Sequence, residues 1–405
     1  MDPLAAARNI DEAACLETLS EMVRFKSYSE TPEERRLAER MVDIMRGMGL
    51  EAALQPVEGN RVNAIGTWRG TGDGKSLLFN GHLDTNPVTE GWSVDPWGGF
   101  VDDDFIYGIG VSNMKAGDAA SLCAVRSLMN AGLKPGGDVV LTYVVGELQG
   151  GVGTLAAVKQ GVRADYFVNS EPTDLQALTM HAAAFVFHIE LEGITRHMSK
   201  REEAVDAIRA ACDLVPRLTG LTFSDAPNEE VRSINRVHVG TIRGALSREF
   251  HEWRAPQVAD FVHMSGSGRY GPGQTEERAV ADIRDVLDQV EAEWPGLRTH
   301  VWTETRDDKP SMPAFEVSRD SRIVKAVNAA YRAVRGTEQP TGTITPPGFY
   351  GTDAGHLYVE GGMEGIVCGP GGRYNTMPDE RVDRDDYLDM IRIYMLTICD
   401  ICGVE

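Results

Sequence analysis

Residues 139–170 read VVLTYVVGELQGGVGTLAAVKQGVRADYFVNS and give the strongest indication of the fold. An apolar run over residues 139–145 leads into a glycine-rich turn, and a helix-like stretch over 154–161 precedes a second apolar run over 166–169. Short apolar runs that alternate with helical patterns are typical of a parallel sheet covered by helices. The segment therefore predicts an α/β domain whose functional sites lie at the carboxyl ends of the strands.

The same pattern continues on both sides of this segment. An apolar run over residues 76–80 precedes a helical pattern over 115–131. In the C-terminal part, helical patterns over 318–334 and 384–401 lie on either side of a buried strand predicted at 365–368. We therefore expect both ends of the chain to contribute to the α/β domain.

A different pattern occupies residues 182–306. Alternating strands are indicated over 185–191 and 298–305, and the predicted elements follow the order strand, helix, strand, strand, helix, strand. That order is typical of a small α+β sandwich of ferredoxin-like type. We expect a split organisation, in which residues 1–181 and 307–405 form the α/β domain and residues 182–306 form an inserted domain.

Composition excludes several functional classes. The 405 residues include 40 basic and 61 acidic side chains, which gives a formal net charge of −21. Such a chain repels phosphate backbones and anionic lipid surfaces, so we expect neither a nucleic-acid nor a membrane partner. No run approaches the ~20 apolar residues of a membrane span. The N-terminus lacks a charged-then-apolar leader, which predicts a cytoplasmic protein.

The six cysteines are too sparse for a disulfide scaffold of this size. The only pair that is close in sequence, Cys399 and Cys402, lies in the apolar stretch 387–402, where a helix is expected. A thioredoxin-like redox motif requires a strand-to-helix context instead. We interpret the pair as two small apolar side chains on a helix face.

Three blocks combine strand ends, glycines and side chains that bind metals. In the first, His82 and Asp84 follow an apolar strand, and the pair suits a metal-binding imidazole that a neighbouring acid orients. The second, residues 107–117, opens a helix, but it lacks the third glycine of a dinucleotide fingerprint. In the third, Glu147 lies at the tip of a glycine-rich turn, and Glu171 follows the next predicted strand. The blocks favour a metal-type site over a nucleotide site.

Taken in order, these blocks resemble the family of co-catalytic zinc metallopeptidases and deacylases that includes acetylornithine deacetylase, succinyl-diaminopimelate desuccinylase, aminoacylase and carboxypeptidase G. The resemblance covers nearly the whole chain. Further matching stretches are residues 91–97, 108–117, 170–173, 193–197, 269–273, 351–353 and 378–380. The resemblance implies a zinc-exopeptidase-like α/β/α catalytic domain in two parts, residues 1–181 and 307–405. It also implies that residues 182–306 form a ferredoxin-like lid and dimerisation domain.

The resemblance implies roles for four side chains of the catalytic domain. His82 stands where the family has its first zinc histidine, and Asp84 stands where the acid behind that histidine lies. Glu147 falls at the general base, which takes a proton from the attacking water. Glu171 falls at a terminal zinc carboxylate.

Two residues of the insert also have counterparts. His197 resembles the lid histidine that reaches across a dimer to the substrate carbonyl or the oxyanion, so its role implies a homodimer through the insert. Arg269 resembles the lid arginine that holds a substrate carboxylate, for which a planar, permanently charged fork is well suited. His356 follows residues 351–353 and is interpreted as a substitute ligand, a substrate contact or a structural residue; the sequence leaves this open.

Three ligand positions depart from the family pattern. The bridging aspartate is Asn113, the second glutamate of a Glu-Glu pair is Leu148, and the C-terminal zinc histidine falls at Thr376. Two dications about 3.5 Å apart repel by roughly 19 kcal/mol at an effective dielectric of ~20, and an amide cannot supply the missing bridging charge. With Glu171 counted as the one remaining carboxylate ligand, the metal site is degenerate. We expect zinc or another divalent metal to bind at most as a single weak ion held by His82, Glu171 and Asn113, or no cofactor at all.

These residues favour a hydrolase that acts on a carbon–nitrogen bond other than a peptide bond, in a small carboxylate-bearing substrate. In the alternative hypothesis the enzyme is metal-independent and uses Glu147 for proton transfer, as a lyase, an isomerase or a hydrolase of a reactive acyl group. A third hypothesis is a non-catalytic relative that binds a carboxylate ligand or a partner. Structural roles also remain open: Glu147 could cap the helix that follows it, and His82 could be a strand-end histidine held by Asp84.

Overall fold

The computed structural model describes residues 2–304, 310–344 and 350–404. The chain folds into two compact units, one formed by Met1–Met180 with Phe315–Glu405 and the other by His181–Ala314. The sequence placed the insert at residues 182–306. In the structure the second unit begins at His181, one position earlier than predicted, and ends at Ala314, eight positions later.

The described chain contains strands and helices throughout, and none of the described helices is both long and apolar enough to cross a membrane. The strands are β1 (Glu51–Pro56), β2 (Val62–Trp68), β3 (Leu77–His82), β4 (Phe105–Tyr107), β5 (Val139–Val144), β6 (Tyr166–Asn169), β7 (Ala177–Leu178), β8 (Met180–His181), β9 (Ala183–Glu192), β10 (Arg236–Ala245), β11 (Phe261–Tyr270), β12 (Arg298–Thr303), β13 (Phe315–Glu316), β14 (Thr341–Gly342), β15 (Glu364–Val367) and β16 (Arg381–Asp383). The helices are α1 (Pro3–Arg8), α2 (Glu12–Val23), α3 (Pro32–Gly47), α4 (Ala116–Asn130), α5 (Val152–Lys159), α6 (Ala207–Thr219), α7 (Glu229–Ser233), α8 (Glu276–Glu293), α9 (Arg322–Arg335), α10 (Ala354–Val359) and α11 (Arg384–Cys402).

The first unit is built on an eight-stranded sheet in its described residues, in the order β1-β2-β5-β3-β6-β15-β7-β14. The strands at its centre, β5, β3, β6 and β15, run parallel to one another. β3 and β5 are buried at every position, as expected for parallel strands that helices cover on both faces. The predicted α/β fold is confirmed. The sequence did not predict the antiparallel pair β1 and β2 at one edge.

Helix α4 crosses the sheet close to the end of β6. Its second residue, Gly117, permits this approach, because a Cβ atom at that position would lie 2.2 Å from the carbonyl oxygen of Ser170. The turn before α4 is therefore held beside the residue that follows Ser170, which is Glu171.

The second unit has an antiparallel sheet in the order β10-β11-β9-β12. Helices α6 and α8 pack against one another and against this sheet with leucine, isoleucine and valine side chains in a core of its own. The element order matches the predicted ferredoxin-like insert. Helix α6 begins at Ala207, where the Asp206 side chain accepts the otherwise free N–H groups of Ile208 and Arg209.

Candidate metal and catalytic site

Three neighbouring strands of the first unit deliver acidic and imidazole side chains to one edge of the sheet. His82 is the last residue of β3, Glu147 follows β5, and Glu171 follows β6. Because β3 is parallel to both neighbours, the three carboxyl ends lie side by side. One ligand atom from each of these residues lies within 4.8 Å of the other two. The group is therefore compact enough to surround one ion.

Asn113 reaches the same point from the irregular turn Val111–Lys115, which precedes α4. The buried carboxylate of Glu380 holds this turn, since its Oε1 accepts the N–H groups of Ser112 at 2.8 Å and Asn113 at 3.1 Å. The Oδ1 atom of Asn113 then lies 3.2 Å from Nε2 of His82. Residues 378–380 matched the family in sequence, and the structure gives Glu380 a positioning role there.

The buried imidazole of His82 has oxygen atoms on both sides. Its Nδ1 lies 2.8 Å from the backbone oxygen of Asp84, so Nδ1 carries a proton and donates it. On the other side, Nε2 lies 3.2 Å from Asn113 Oδ1, 3.6 Å from Glu171 Oε1 and 3.9 Å from Glu147 Oε2. Buried atoms with lone pairs are not stable against one another unless a proton or a cation lies between them.

The carboxylate of Asp84 contacts the turn that carries Glu147 rather than the imidazole ring. Its Oδ1 lies 3.6 Å from His82 Nδ1, but it accepts the N–H of Gly146 at 2.9 Å and of Glu147 at 3.3 Å. Its Oδ2 accepts the hydroxyl of Ser29 at 2.8 Å. Asp84 thus orients the ring through its backbone carbonyl and fixes the turn through its side chain. Gly146 has φ 78°, which few residues other than glycine adopt.

The turn after Glu147 is supported from α10. His356 Nε2 donates to the carbonyl oxygen of Gly150 at 2.8 Å, and this residue is not in the ligand group found among the described residues. Asp353 Oδ2 accepts the hydroxyl of Thr154 at 2.8 Å, and its buried Oδ1 has no hydrogen-bond partner in the described structure. Among the interpretations left open for His356, the geometry favours a structural role. The N-cap of α5 is Gly151, which makes no side-chain cap hydrogen bond, so the geometry gives no support to the capping role considered for Glu147.

Mutual repulsion and burial set the protonation of the ligand group. Burial raises the pKa of Glu147 and of Glu171, and neighbouring carboxylates add to the effect. Burial alone would lower the pKa of His82, but the charges of Glu171, Asp84 and Glu147 outweigh it and raise that pKa to about 10. The acids therefore hold a positive charge at His82, which is the charge that a bound cation would supply.

Asp118 is a buried acid of this region that the sequence did not indicate. It lies in the first turn of α4, and neither carboxyl oxygen has a hydrogen-bond partner in the described structure. Gly81 leaves room for it, since a Cβ atom there would lie 2.0 Å from Asp118 Oδ1. Burial raises the pKa of Asp118 well above its ordinary value, although His82 opposes this. The only sequence signal was a single aspartate among the small residues that begin α4.

The two candidate residues of the insert are described within the second unit. His197 is exposed and precedes the turn Met198–Glu203. The N–H of Ser199 donates to His197 Nδ1 at 3.3 Å, which leaves Nε2 to carry the ring proton. Arg269 lies on β11 opposite Ala184 of β9.

The residues around His82 fit a divalent cation. They offer an imidazole nitrogen, two carboxylates and an amide oxygen, which are ligand types of zinc, manganese and cobalt. Two family ligand positions contribute nothing comparable: Leu148 is aliphatic, and Thr376 is exposed and donates its hydroxyl to Asn375 Oδ1 at 2.9 Å.

The family model of Peptidase family M20/M25/M40 matches residues 78–400. The chain belongs to this family, and it is a hydrolase of the deacylase type that acts on carbon–nitrogen bonds other than peptide bonds. It is 25% identical over 367 residues to N-formyl-4-amino-5-aminomethyl-2-methylpyrimidine deformylase of Bacillus subtilis, with 84% of this chain and 83% of that one covered. It is 26% identical over 354 residues to acetylornithine deacetylase of Pectobacterium carotovorum, with 85% and 86% covered.

Solved structures share the fold. A tripeptidase from Staphylococcus aureus superposes with a TM-score of 0.76 at 21% identity, covering 97% of this chain and 99% of that one. A dinuclear metal-binding peptidase of the M20 family from Bacillus subtilis gives a TM-score of 0.64 at 16% identity, covering 96% and 98%. At these identities the likeness extends to the fold alone.

Proposed function

We propose that this enzyme removes an acyl group from an amide nitrogen of a small, carboxylate-bearing molecule, with a single divalent cation bound at His82. The main support is the convergence of Asn113, Glu171 and Glu147 oxygens on His82 Nε2, because these buried atoms need a proton or a cation between them. The relatives are named as a deformylase, a deacetylase and a desuccinylase, and each name specifies an acyl group that is removed. The side chain of the substrate is not part of the proposal.

We assign the ion to His82, Glu171 and the Asn113 oxygen, because Glu147 is needed for the proton. When bound, such an ion polarises a carbonyl oxygen and makes a water molecule more acidic. Glu147 takes the proton of the attacking water and returns it to the leaving nitrogen. Burial raises the pKa of Glu147, and a carboxylate with a raised pKa is the stronger base. Asp84 keeps Glu147 in place through the N–H groups of the turn.

For the insert we propose that His197 donates its Nε2 proton to the oxyanion and that Arg269 holds the substrate carboxylate. The first role requires a homodimer through the insert. A feature that supports dimerisation is the edge strand β10, ten residues long, on which Ile242 is 52% exposed. Long edge strands with exposed apolar side chains are surfaces on which further strands pair. Sedimentation of the purified protein tests this directly.

The metal-independent lyase or isomerase is not favoured. The named relatives above are acyl-removing hydrolases, and a metal-free site would have to keep buried acceptors together by protonating His82. The non-catalytic hypothesis has no support from the family either.

Metal analysis and one substitution test the proposal. We expect the protein to bind close to one equivalent of zinc, cobalt or manganese per chain and to lose amide hydrolysis in a chelator. Glu147→Gln should retain the ion and lose turnover, while Glu58→Gln, on an exposed side chain, should alter neither. Two tightly bound equivalents would disprove the single-ion site, and hydrolysis that survives complete metal removal would disprove the role of the ion.

A further inference from the structure

Arg61 lies in the turn between β1 and β2, and it forms an ion pair inside the first unit. Its side chain is 12% exposed, and the side chain of its partner, Glu34 of α3, is fully buried. The guanidinium donates from Nε to Glu34 Oε2 at 3.0 Å and from Nη2 to Glu34 Oε1 at 2.7 Å. Two hydrogen bonds to one carboxylate fix the plane of a guanidinium as well as its position. Arg61 is therefore a firmly held donor.

The same guanidinium begins a series of hydrogen bonds that ends at the turn of Glu147. Its Nη2 atom also donates to Gln149 Oε1 at 3.0 Å, and Gln149 Nε2 donates to Ser29 Oγ at 2.5 Å. The Ser29 hydroxyl donates to Asp84 Oδ2 at 2.8 Å, and Asp84 accepts the N–H groups of the turn. Because a guanidinium only donates and a carboxylate only accepts, the direction of every bond in the series is fixed.

The β1–β2 hairpin also contacts this turn directly. A Cβ atom at Gly146 would lie 2.9 Å from Arg61 Nη2, so the guanidinium packs closely against the backbone at that residue. Asn63 of β2 holds both sides of the turn, since its Oδ1 accepts the Val145 N–H at 3.1 Å and its Nδ2 donates to the Gly153 carbonyl at 2.9 Å. The hairpin thus supports the turn from outside.

We propose that Arg61 is a positioning residue for the hydrolysis and holds the Glu147 carboxylate where its proton transfer requires it. This inference rests on the proposed function, in which Glu147 is the general base. Three glycines with positive φ surround Glu147, namely Gly146, Gly150 and Gly151, and glycine restrains the backbone little by itself. A base acts only within hydrogen-bond reach of the proton that it abstracts, and a misplacement of about 1 Å can slow a reaction about a hundredfold.

Two variants of the zinc-loaded full chain test the proposal, with N-formyl and N-acetyl amino acids as substrates. We expect Arg61→Ala and Gln149→Leu each to lower kcat by about 10–100-fold. KM and zinc content should stay unchanged, because the series acts on Glu147 and not on the substrate or the ion. Gln149→Leu keeps the ion pair of Arg61 with Glu34, so it remains informative if the unpaired Glu34 of Arg61→Ala destabilises the fold.

Arg69→Ala is the matched control. Arg69 also pairs with two carboxylates, those of Glu51 at 2.8 Å and Asp138 at 2.7 Å, but its side chain is 61% exposed. We expect kcat and KM of this variant to equal those of the parent, since exposed ion pairs contribute little. An equal loss of kcat in Arg69→Ala would mean that any lost arginine impairs the enzyme, which would overturn the assignment of Arg61.

Rescue by guanidinium separates positioning from a general loss of stability. A cavity of about 460 Å³ is lined by Arg61 together with Thr31, Arg35 and Asn60, so a guanidinium ion can enter the space vacated in Arg61→Ala. We expect low concentrations of guanidinium chloride to raise kcat of this variant by about tenfold, the lower end of the expected loss. The parent and Gln149→Leu should not be activated. A variant that had only lost stability would instead lose activity, because guanidinium is a denaturant.

Hydrogen–deuterium exchange of the peptide over residues 144–150 gives a readout that needs no substrate. The N–H groups of Gly146, Glu147 and Leu148 all donate to Asp84, so their exchange should accelerate about tenfold or more in both variants and not in the control. Unchanged exchange in both variants, or zinc loss in Gln149→Leu, would overturn the inference. Loss of turnover in Glu147→Gln with unchanged kcat in Gln149→Leu would overturn the inference alone, whereas full turnover in Glu147→Gln would overturn the proposed function.

Discussion

Replacing Asn113 by aspartate is expected to tighten the binding of a divalent cation at His82 by at least about a hundredfold. Asparagine and aspartate have the same shape, and the turn that carries residue 113 is already held by Glu380 through backbone N–H groups. The new carboxylate would therefore occupy the place of the Asn113 amide, 3.2 Å from His82 Nε2, with a full negative charge.

Two opposing interactions set the magnitude. A unit charge and a dication ~4 Å apart attract by about 8 kcal/mol at an effective dielectric of ~20. In the metal-free protein the same carboxylate would attract the protonated His82 ring, by about 5 kcal/mol at the 3.2 Å separation, and this must be given up when the ion binds. The difference of about 3 kcal/mol corresponds to roughly two powers of ten in the dissociation constant.

Competition against a chromophoric chelator measures the zinc dissociation constant of each variant, and elemental analysis gives the number of ions. Asn228→Asp is the matched control, since it adds the same charge at the cap of α7, where aspartate can still accept the Val231 N–H. We expect Asn113→Asp to retain a single ion, because Leu148 and Thr376 are unchanged. Equal affinities in Asn113→Asp and the parent protein would show that Asn113 does not contact the ion. If Asn228→Asp tightened binding by the same factor, the effect would come from the net charge of the protein and not from position 113.

Three further substitutions test the surroundings of the ion. Glu147→Gln should lower kcat by about 10²–10⁴ with zinc content retained, because it removes the proton carrier; parallel loss of zinc would make Glu147 a ligand instead. Asp84→Asn should lower the free energy of unfolding by about 1–3 kcal/mol in urea titrations, since buried N–H groups at Gly146 and Glu147 lose a charged acceptor; unchanged stability contradicts this. Burial raises the pKa of Asp118 in the folded protein above its value in the unfolded chain. The contribution of protonated Asp118 to the free energy of unfolding is therefore complete below the unfolded pKa and is lost as the pH rises toward the folded pKa. In metal-free protein, the free energy of unfolding of Asp118→Asn should therefore rise relative to that of the parent between pH 5 and pH 8. A constant difference between the two proteins across that range would refute the argument.

The centre of the fold could be predicted because its strands are continuous apolar runs that end in polar motifs. β3, β5 and β6 are buried on both faces, so their sequences contain almost no polar interruption until the residues that form the site. Because these strands are parallel, His82, Glu147 and Glu171 can be expected at the same edge of the sheet even when the loop structures are unknown.

Elements with weaker local signals could not be predicted as well. The last part of β11, residues 265–270, reads SGSGRY, and its glycines have low strand propensity, so the local sequence does not indicate that the strand reaches Tyr270. β11 continues because it pairs with β9 and β10 along its whole length, and such pairing is a tertiary property.

The metal site was predicted from the sequence less completely than the fold. The residues at the ligand positions can be read from the sequence, but the total charge around them cannot. Asn113 and Leu148 remove two carboxylates from the family positions, which argued for a nearly uncharged site. The structure surrounds His82 with Asp84, Asp118 and Asp353 as well, and these buried acids act on its charge although they are not in the ligand group. These buried acids attract a single dication without coordinating it. They supply no bridging oxygen between two dications, and the repulsion between two dications grows as their separation falls. This arrangement is in keeping with the single ion that we propose, and in that proposal the charge of the side chain at position 113 decides between weak and tight binding.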